Sequence, residues 1–399
     1  MFNHTKSQVV YILLAVFFVV LVSCSAPQST VATMQASNTS VPPTHTSVLP
    51  TNTPIPSTNT SVPPTNTPMG PTPTPHPTAR PTTEPSDTGH IERGQITSQA
   101  LANNLVGDPA IRDFMVYLPP SYDTSDRRYP VVYILHGFKG DQWEILSPAF
   151  TLDEMLVNGE TEEMILVSVD GSNRFGGSWY LSSPTIGDYE KYIVHELVDH
   201  IDANYRTLPS RDSRGIMGCS MGGEGSLRLA LKYPDVFSVA VPISGLFIGE
   251  RHPAWKNLSS GTPEDFDDLN KLASMVQSII ALSAAAASNP DRPPFYLDMP
   301  FEKIDGETQI VQEVYDKVNA VYPVNYLEAY LDQPNRLRGL LIVAGEYDSI
   351  HPTEVVRDFE KMLGDLGIEH EYLEVPEKGH CNFDITQVLQ YMSNHLAFD

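Results

Sequence analysis

The chain has 399 residues, 49 of them acidic against 25 basic, for a formal net charge of −24. Such a charge repels nucleic acid and other polyanions, so neutral or cationic small molecules are the electrostatically favoured partners. The composition is uneven: an apolar leader and a Thr/Pro tract precede about 310 residues of ordinary globular composition, and those residues carry the whole net charge.

Val9 to Val22 is an unbroken apolar run of 14 residues with Lys6 before it. The run is too short to span a bilayer and has the length of a secretory signal core. Its end, Leu21-Val22-Ser23-Cys24, resembles the lipobox of bacterial lipoproteins, in which the cysteine is lipidated and becomes the first mature residue. Residues 1–24 are therefore expected to be a lipoprotein signal. Cys24 is expected to be a membrane anchor holding the protein outside the cytoplasm at a bacterial cell surface. Residues 25–88 follow as a spacer. From residue 27 onward it has 15 prolines and 17 threonines, and Asn38–Thr44 recurs as Asn59–Thr65. A tract of this kind cannot bury a core and is expected to be extended and solvated.

Residues 89–399 read as one large catalytic domain. Ile111–Leu118 alternates as a strand should, and Val131–Leu135 and Met164–Val169 are the continuous apolar runs of buried strands. Tyr189 to Tyr205 has helical spacing. A strand ending at Arg214–Met217 and a helix over Gly223–Tyr233 come next. Val239–Gly245, Leu340–Gly345 and His370–Val375 are further strands, and helices at Thr353–Leu366 and Thr386–His395 close the chain. Strands alternating with helices predict an α/β fold built on a mostly parallel, doubly wound sheet with helices on both faces. Between Leu246 and Asn325 the rhythm stops, and Ser274–Ala287 and Gly306–Val321 look helical. An excursion of that length after a core strand predicts a helical cap, about 246–325, over the site.

Gly218-Cys219-Ser220-Met221-Gly222 stands between the predicted strand and helix. Strand, tight turn and helix are the context a G-x-S-x-G nucleophile elbow requires, with glycines where bulk would clash. Ser220 is the expected nucleophile, at a helix N-terminus that favours developing negative charge. A serine nucleophile needs a base and an acid to orient that base. His252 falls in the expected cap, His351 follows too soon after Gly345, His370 opens a strand and His395 lies in the terminal helix. His380 sits in the loop between the last strand and the last helix, where the base belongs. Asp348 is the expected acid, with Glu346 as the alternative in the same loop. The oxyanion donors are expected to be the N–H of Met221 and that of Phe138 or its neighbour Gly137. Trp179 is expected to line the substrate pocket. This chemistry calls for no metal and no cofactor.

Asp188-Tyr189-Glu190, Tyr205-Arg206, Gly218 through Gly223, Pro234-Asp235-Val236-Phe237 and Ser244-Gly245 together resemble the esterase D and antigen 85 family of α/β-hydrolases. The resemblance covers about residues 94–396 and is weakest in 246–325. It implies the α/β-hydrolase fold. It also implies Ser220, Asp348 and His380 as nucleophile, acid and base, with Phe138 and Met221 as oxyanion donors. The activity expected is hydrolysis of carboxylic esters, of small molecules or of acetylated or feruloylated carbohydrate. An acyltransferase of the antigen 85 type would use the same acyl-enzyme, and an inactive surface-binding lipoprotein would reuse only the scaffold. The chain departs from the family in having cysteines beside the serine and the histidine. Nucleophile and base must approach each other, so Cys219 and Cys381 are expected within disulfide range, in an oxidising compartment. The arrangement resembles the Cys-Ser, Asp, His-Cys motif of tannase-type feruloyl esterases.

Overall fold

The computed structural model describes residues 86–249, 263–305, 307–382 and 384–398. The expected signal, Cys24, nearly all of the spacer and His252 lie outside the described residues.

Eight strands form one sheet: β1 (His90–Thr97), β2 (Ile111–Leu118), β3 (Val131–Leu135), β4 (Ile165–Val169), β5 (Arg214–Cys219), β6 (Val239–Ile243), β7 (Gly339–Gly345) and β8 (Glu371–Val375), in the spatial order β1-β2-β4-β3-β5-β6-β7-β8. β3 through β8 pair in parallel, and β1 and β2 extend the edge antiparallel. Every residue of β3, β4 and β6 is buried, as a sheet covered on both faces demands. Alternate residues of a strand serve opposite faces. Val131, Tyr133 and Leu135 join one core and Val132 and Ile134 the other. The strand order reverses between β3 and β5, and loops leaving carboxyl ends at such a point converge on a crevice.

The principal helices are α1 (Leu146–Asn158), the helical stretch 189–204 (α2), α3 (Met221–Lys232), α4 (Ser274–Ala286), α5 (Gln312–Asn319), α6 (Thr353–Asp365) and α7 (Thr386–His395). The middle of α2, Tyr192–Leu197, is widened to π-helical turns. The helix expected over Gly306–Val321 is corrected. A hairpin of Phe301–Ile304 and Glu307–Ile310 stands first, and only then α5. Asp305-Gly306 is the dipeptide that tight hairpin turns favour, and Asp305 has φ of 54°. All four residues of the second strand are exposed, so no buried face marked it in the sequence.

Candidate active site

β5 runs into α3 through Ser220, whose backbone sits at φ 58°, ψ −119°. A non-glycine residue there is strained by about 1–3 kcal/mol, and the surroundings must hold it. Ser220 N–H donates to the Ile243 carbonyl at 2.9 Å, and the Ser220 carbonyl accepts from Glu224 N–H at 3.0 Å. The flanking glycines are obligatory for space. A Cβ on Gly218 would meet the Leu135 carbonyl oxygen at 2.5 Å, and one on Gly222 would meet it at 2.0 Å. Met221 opens α3, so its N–H has no partner inside the helix.

The loop after β7 carries Asp348, and the loop after β8 carries His380. Nδ1 of His380 lies 2.8 and 3.0 Å from the two carboxyl oxygens of Asp348. A carboxylate only accepts, so Nδ1 holds the proton and Nε2 is left with its lone pair. Oδ1 of Asp348 also accepts the N–H groups of Ile350 at 3.0 Å and His351 at 2.9 Å. Burial by itself raises the Asp348 carboxyl. The hydrogen bonds from His380, His351 and Ile350 outweigh it and hold the group below its ordinary value. Glu346, the other carboxyl of the loop, instead accepts the Glu377 N–H at 2.9 Å.

Cys219 and Cys381 form a disulfide with Cα atoms 6.1 Å apart, tying the elbow to the histidine loop. Ser244, at the end of β6, braces the same loops. Its hydroxyl accepts from Cys381 N–H at 3.4 Å, and its carbonyl lies 2.6 Å from His351 Nδ1. The His351 ring stands edge-on to His380, with centroids 5.0 Å apart. Ser244 stood in the sequence only as part of the family resemblance, and spacing gave no sign of these contacts or of this use of His351.

The loop after β3 is pinned around Gly137. Its N–H donates to Glu144 at 3.2 Å, and its carbonyl accepts from Gly140 N–H at 2.9 Å. The wholly buried His136 accepts Gly171 N–H on Nε2 at 2.8 Å, which puts the ring proton on Nδ1, 2.7 Å from the same Gly137 carbonyl. Lys139 N–H is taken by the Gly176 carbonyl. Among the described residues this leaves the Phe138 N–H without a protein acceptor, whereas the Gly137 N–H is taken by Glu144, so Phe138 is the freer of the two candidate donors.

Gly137, Phe138, Trp179, Ser220, His351, His380 and Cys381 line one cavity of about 310 Å³. Ser274, Met275 and Ser278 complete its wall from α4, in the region expected to form a cap. Trp179 and Tyr180 both have φ of 53°. The guanidinium of the fully buried Arg228, two turns along α3, donates to the carbonyls of both. Five expected groups therefore meet here: the serine, the histidine with its aspartate, Phe138, Trp179 and the bridged cysteines.

The family described as "Putative esterase" matches residues 110–273. That stretch carries an esterase-family sequence. It holds the Gly137 loop, Trp179 and Ser220, whereas Asp348 and His380 lie beyond it. An esterase of Mycobacterium tuberculosis is 29% identical over 279 residues, which are 65% of this chain and 51% of that protein. The chain thus spans about half the length of this relative. A xylanase/feruloyl esterase of Xylanibacter ruminicola is 28% identical over 165 residues, 38% of this chain and 20% of that protein. Among solved structures, a ferulic acid esterase superposes with TM-score 0.54 at 18% identity, covering 77% of this chain and 99% of that one. An S-formylglutathione hydrolase of Staphylococcus aureus does so with TM-score 0.50 at 20% identity, covering 76% and 100%. The esterase-like sequence is folded as an α/β-hydrolase.

Proposed function

We propose that the chain is a serine carboxylesterase held at a bacterial cell surface by lipid on Cys24. Ser220 Oγ attacks the ester carbonyl carbon while His380 Nε2 takes its proton. The oxyanion forms between the N–H groups of Met221 and Phe138. Collapse breaks the bond to the alcohol oxygen, which leaves with the proton from His380. Water, deprotonated by His380, then attacks the acyl-serine; the bond from the acyl carbon to Ser220 Oγ breaks, Oγ takes the proton back from His380, and the acid departs. Asp348 stays ionised throughout and keeps the imidazole oriented. The observation that carries this reading is that His380, held by Asp348, lines the same cavity as the strained Ser220.

The feruloyl esterase relative supports carbohydrate esters of small or aromatic acids as the substrate class. The net negative charge favours neutral substrates over anionic ones. The deciding experiment is turnover of p-nitrophenyl acetate by the purified protein and by Ser220→Ala. Alanine fits the elbow, so the variant stays folded and loses a factor of about 10³ or more in kcat. Turnover within tenfold of the parent rules out Ser220 as the nucleophile. Acetylated, feruloylated and thioester substrates then rank the acyl groups.

A further inference from the structure

Two successive peptide planes fix the loop after β3, and Gly137 joins them. In the first, the His136 carbonyl accepts the Tyr180 hydroxyl at 2.8 Å and the Gly137 N–H donates to Glu144 Oε1 at 3.2 Å. In the second, the Gly137 carbonyl accepts Gly140 N–H at 2.9 Å and the His136 Nδ1 proton at 2.7 Å. Three of the four polar groups are held, and the fourth is the Phe138 N–H. A trans peptide points its carbonyl and its N–H in opposite directions, so the Phe138 N–H is turned away from the donors that hold the Gly137 carbonyl. Phe138 itself lines the cavity with Ser220. Gly137 has no side chain to restrict its rotation, so the hydrogen bonds on either side set the angle between the planes.

We infer that Glu144 is a positioning residue of the reaction: by accepting the Gly137 N–H it fixes the turn at Gly137 and aims the Phe138 N–H at the oxyanion of the ester. The inference rests on the serine esterase reading and adds to it a residue outside the triad and the oxyanion donors. Glu144 belongs to the short helical turn Gln142–Ile145 and is an exposed residue. Buried Gln142 and Ile145 anchor that turn, and Asp141 caps it by accepting Trp143 N–H at 2.8 Å. An exposed glutamate can extend into water, but this carboxyl folds back over the loop. A Cβ on Gly140 would stand 2.3 Å from Glu144 Oε1, so glycine at 140 leaves the room for it. A Cβ on Gly137 would stand 3.9 Å from the same oxygen and 3.7 Å from Ser220 Cβ. Gly137 is thus wedged between the carboxyl and the nucleophile.

The loop uses Glu144 as an acceptor rather than as a charge. Desolvation first, with the neighbouring Asp141 charge, pushes the carboxyl up to about 7 against the Gly137 hydrogen bond. Near neutral pH the group is partly protonated, and the protonated form still offers a carbonyl lone pair to the Gly137 N–H. Glutamine offers the same lone pair. Alanine offers none, and an N–H left without a partner drives the loop to turn until it finds one.

The test uses the full-length protein, p-nitrophenyl acetate and an alkyl trifluoromethyl ketone. Ser220 Oγ adds to the ketone carbon, its proton passes to His380, and the former carbonyl oxygen becomes an oxyanion. In Glu144→Ala, kcat is expected to fall about 10- to 100-fold, short of the full loss of an oxyanion donor, while KM stays within about threefold. The inhibition constant of the ketone rises by the factor that kcat/KM falls, since both report the oxyanion. Glu144→Gln returns activity to within about threefold of the parent. Gly140→Ala reaches the same slow state by another route, because its methyl displaces a carboxyl that is still present, and no left-handed φ bars alanine there. That methyl also comes within 3.1 Å of the Gly137 carbonyl oxygen, so the double variant separates the two effects: it is expected to be no slower than Glu144→Ala. The inference is overturned by kcat of Glu144→Ala within about threefold of the parent, by a loss confined to KM, or by an unmoved ketone constant. A glutamine variant as slow as the alanine one, or additive losses in the double variant, overturns it too. Should Glu144→Ala not fold, Gly140→Ala and Glu144→Gln decide by themselves. Ser220→Ala separates the two levels. Activity in that variant refutes the esterase reading itself, whereas an inactive Ser220→Ala beside an undiminished Glu144→Ala refutes only the role of Glu144.

Discussion

Asp348 uses one carboxyl oxygen to bind its own loop and both to hold His380, so it shapes the loop as well as orienting the imidazole. Asp348→Asn is therefore expected to lower kcat by about 10³–10⁴, the cost of an imidazole in the wrong tautomer, while Glu346→Gln stays within a few-fold. Steady-state kinetics of the two variants decide between them, and a larger loss in Glu346→Gln would reverse the assignment. The pH sign follows from the direction of the shift. The folded Asp348 is held below its unfolded value, so its stabilising bonds are complete above that value and are lost as pH falls through the depressed folded one. Acid inactivation from this group thus belongs below the ordinary carboxylate range. At this scale the sequence carried the serine, the histidine and the acid loop, because chain order and loop position restrict them. It left Glu346 against Asp348 and Gly137 against Phe138 open. Both choices turn on which hydrogen bonds a neighbour has already taken, here Glu377 and Glu144, and spacing does not encode that.

The helix behind the nucleophile ties the site's loops together. Burial lowers the Arg228 guanidinium pKa and the nearby Glu190 carboxylate opposes the shift, so the group stays paired within the core. Arg228→Met would leave the Trp179 and Tyr180 carbonyls without their donor and remove the charge 3.9 Å from Glu190, which keeps its hydrogen bonds from Lys232 and Tyr233. The expected loss is about 3–5 kcal/mol in urea unfolding, the usual result of removing one partner of a buried pair. Arg228→Lys restores the charge but not the two-pronged reach, and is expected to recover stability only in part. An unchanged midpoint in Arg228→Met removes the clamp. The Cys219–Cys381 bridge acts on the same scale, closing a loop with a sequence separation of 162. Reduction is expected to cost about 2–4 kcal/mol and to lower turnover before near-UV dichroism is lost, because the histidine loop is released first. Two free thiols in the denatured, unreduced protein would sink that expectation. Most elements of the sheet were legible because buried parallel strands are unbroken apolar runs. β1 was not, since its side chains are largely exposed. Nor was α1, whose outward face carries Phe150 and Val157, each 65% exposed, and so blurs the helical period.

At the scale of the whole molecule, the charge opposes the proposed anchor. Residues 89–399 carry the full −24, and an anionic membrane surface repels them. No helix among the described residues is long and apolar enough to cross a membrane. Before the domain the sequence offers two mechanisms of association, lipid on Cys24 or retention of the Val9–Val22 run. One acyl chain gives only marginal binding and stable anchoring takes a second, so a lipidated Cys24 must carry more than one chain to outweigh the repulsion. A Thr/Pro tract extended as its composition leads one to expect would fit the proposed anchor, because it would move the charged domain several Debye lengths from the lipid headgroups. Cys24→Ser is expected to move the protein from the membrane fraction to the soluble fraction or to block its maturation, with the esterase activity of released protein unchanged. The parent should stay with membranes in 1 M salt and leave only with detergent, since screening weakens the repulsion rather than the anchor. Membrane association that survives Cys24→Ser would assign the anchor to the retained apolar run instead, because 14 residues that are not cleaved can still lodge in a bilayer interface.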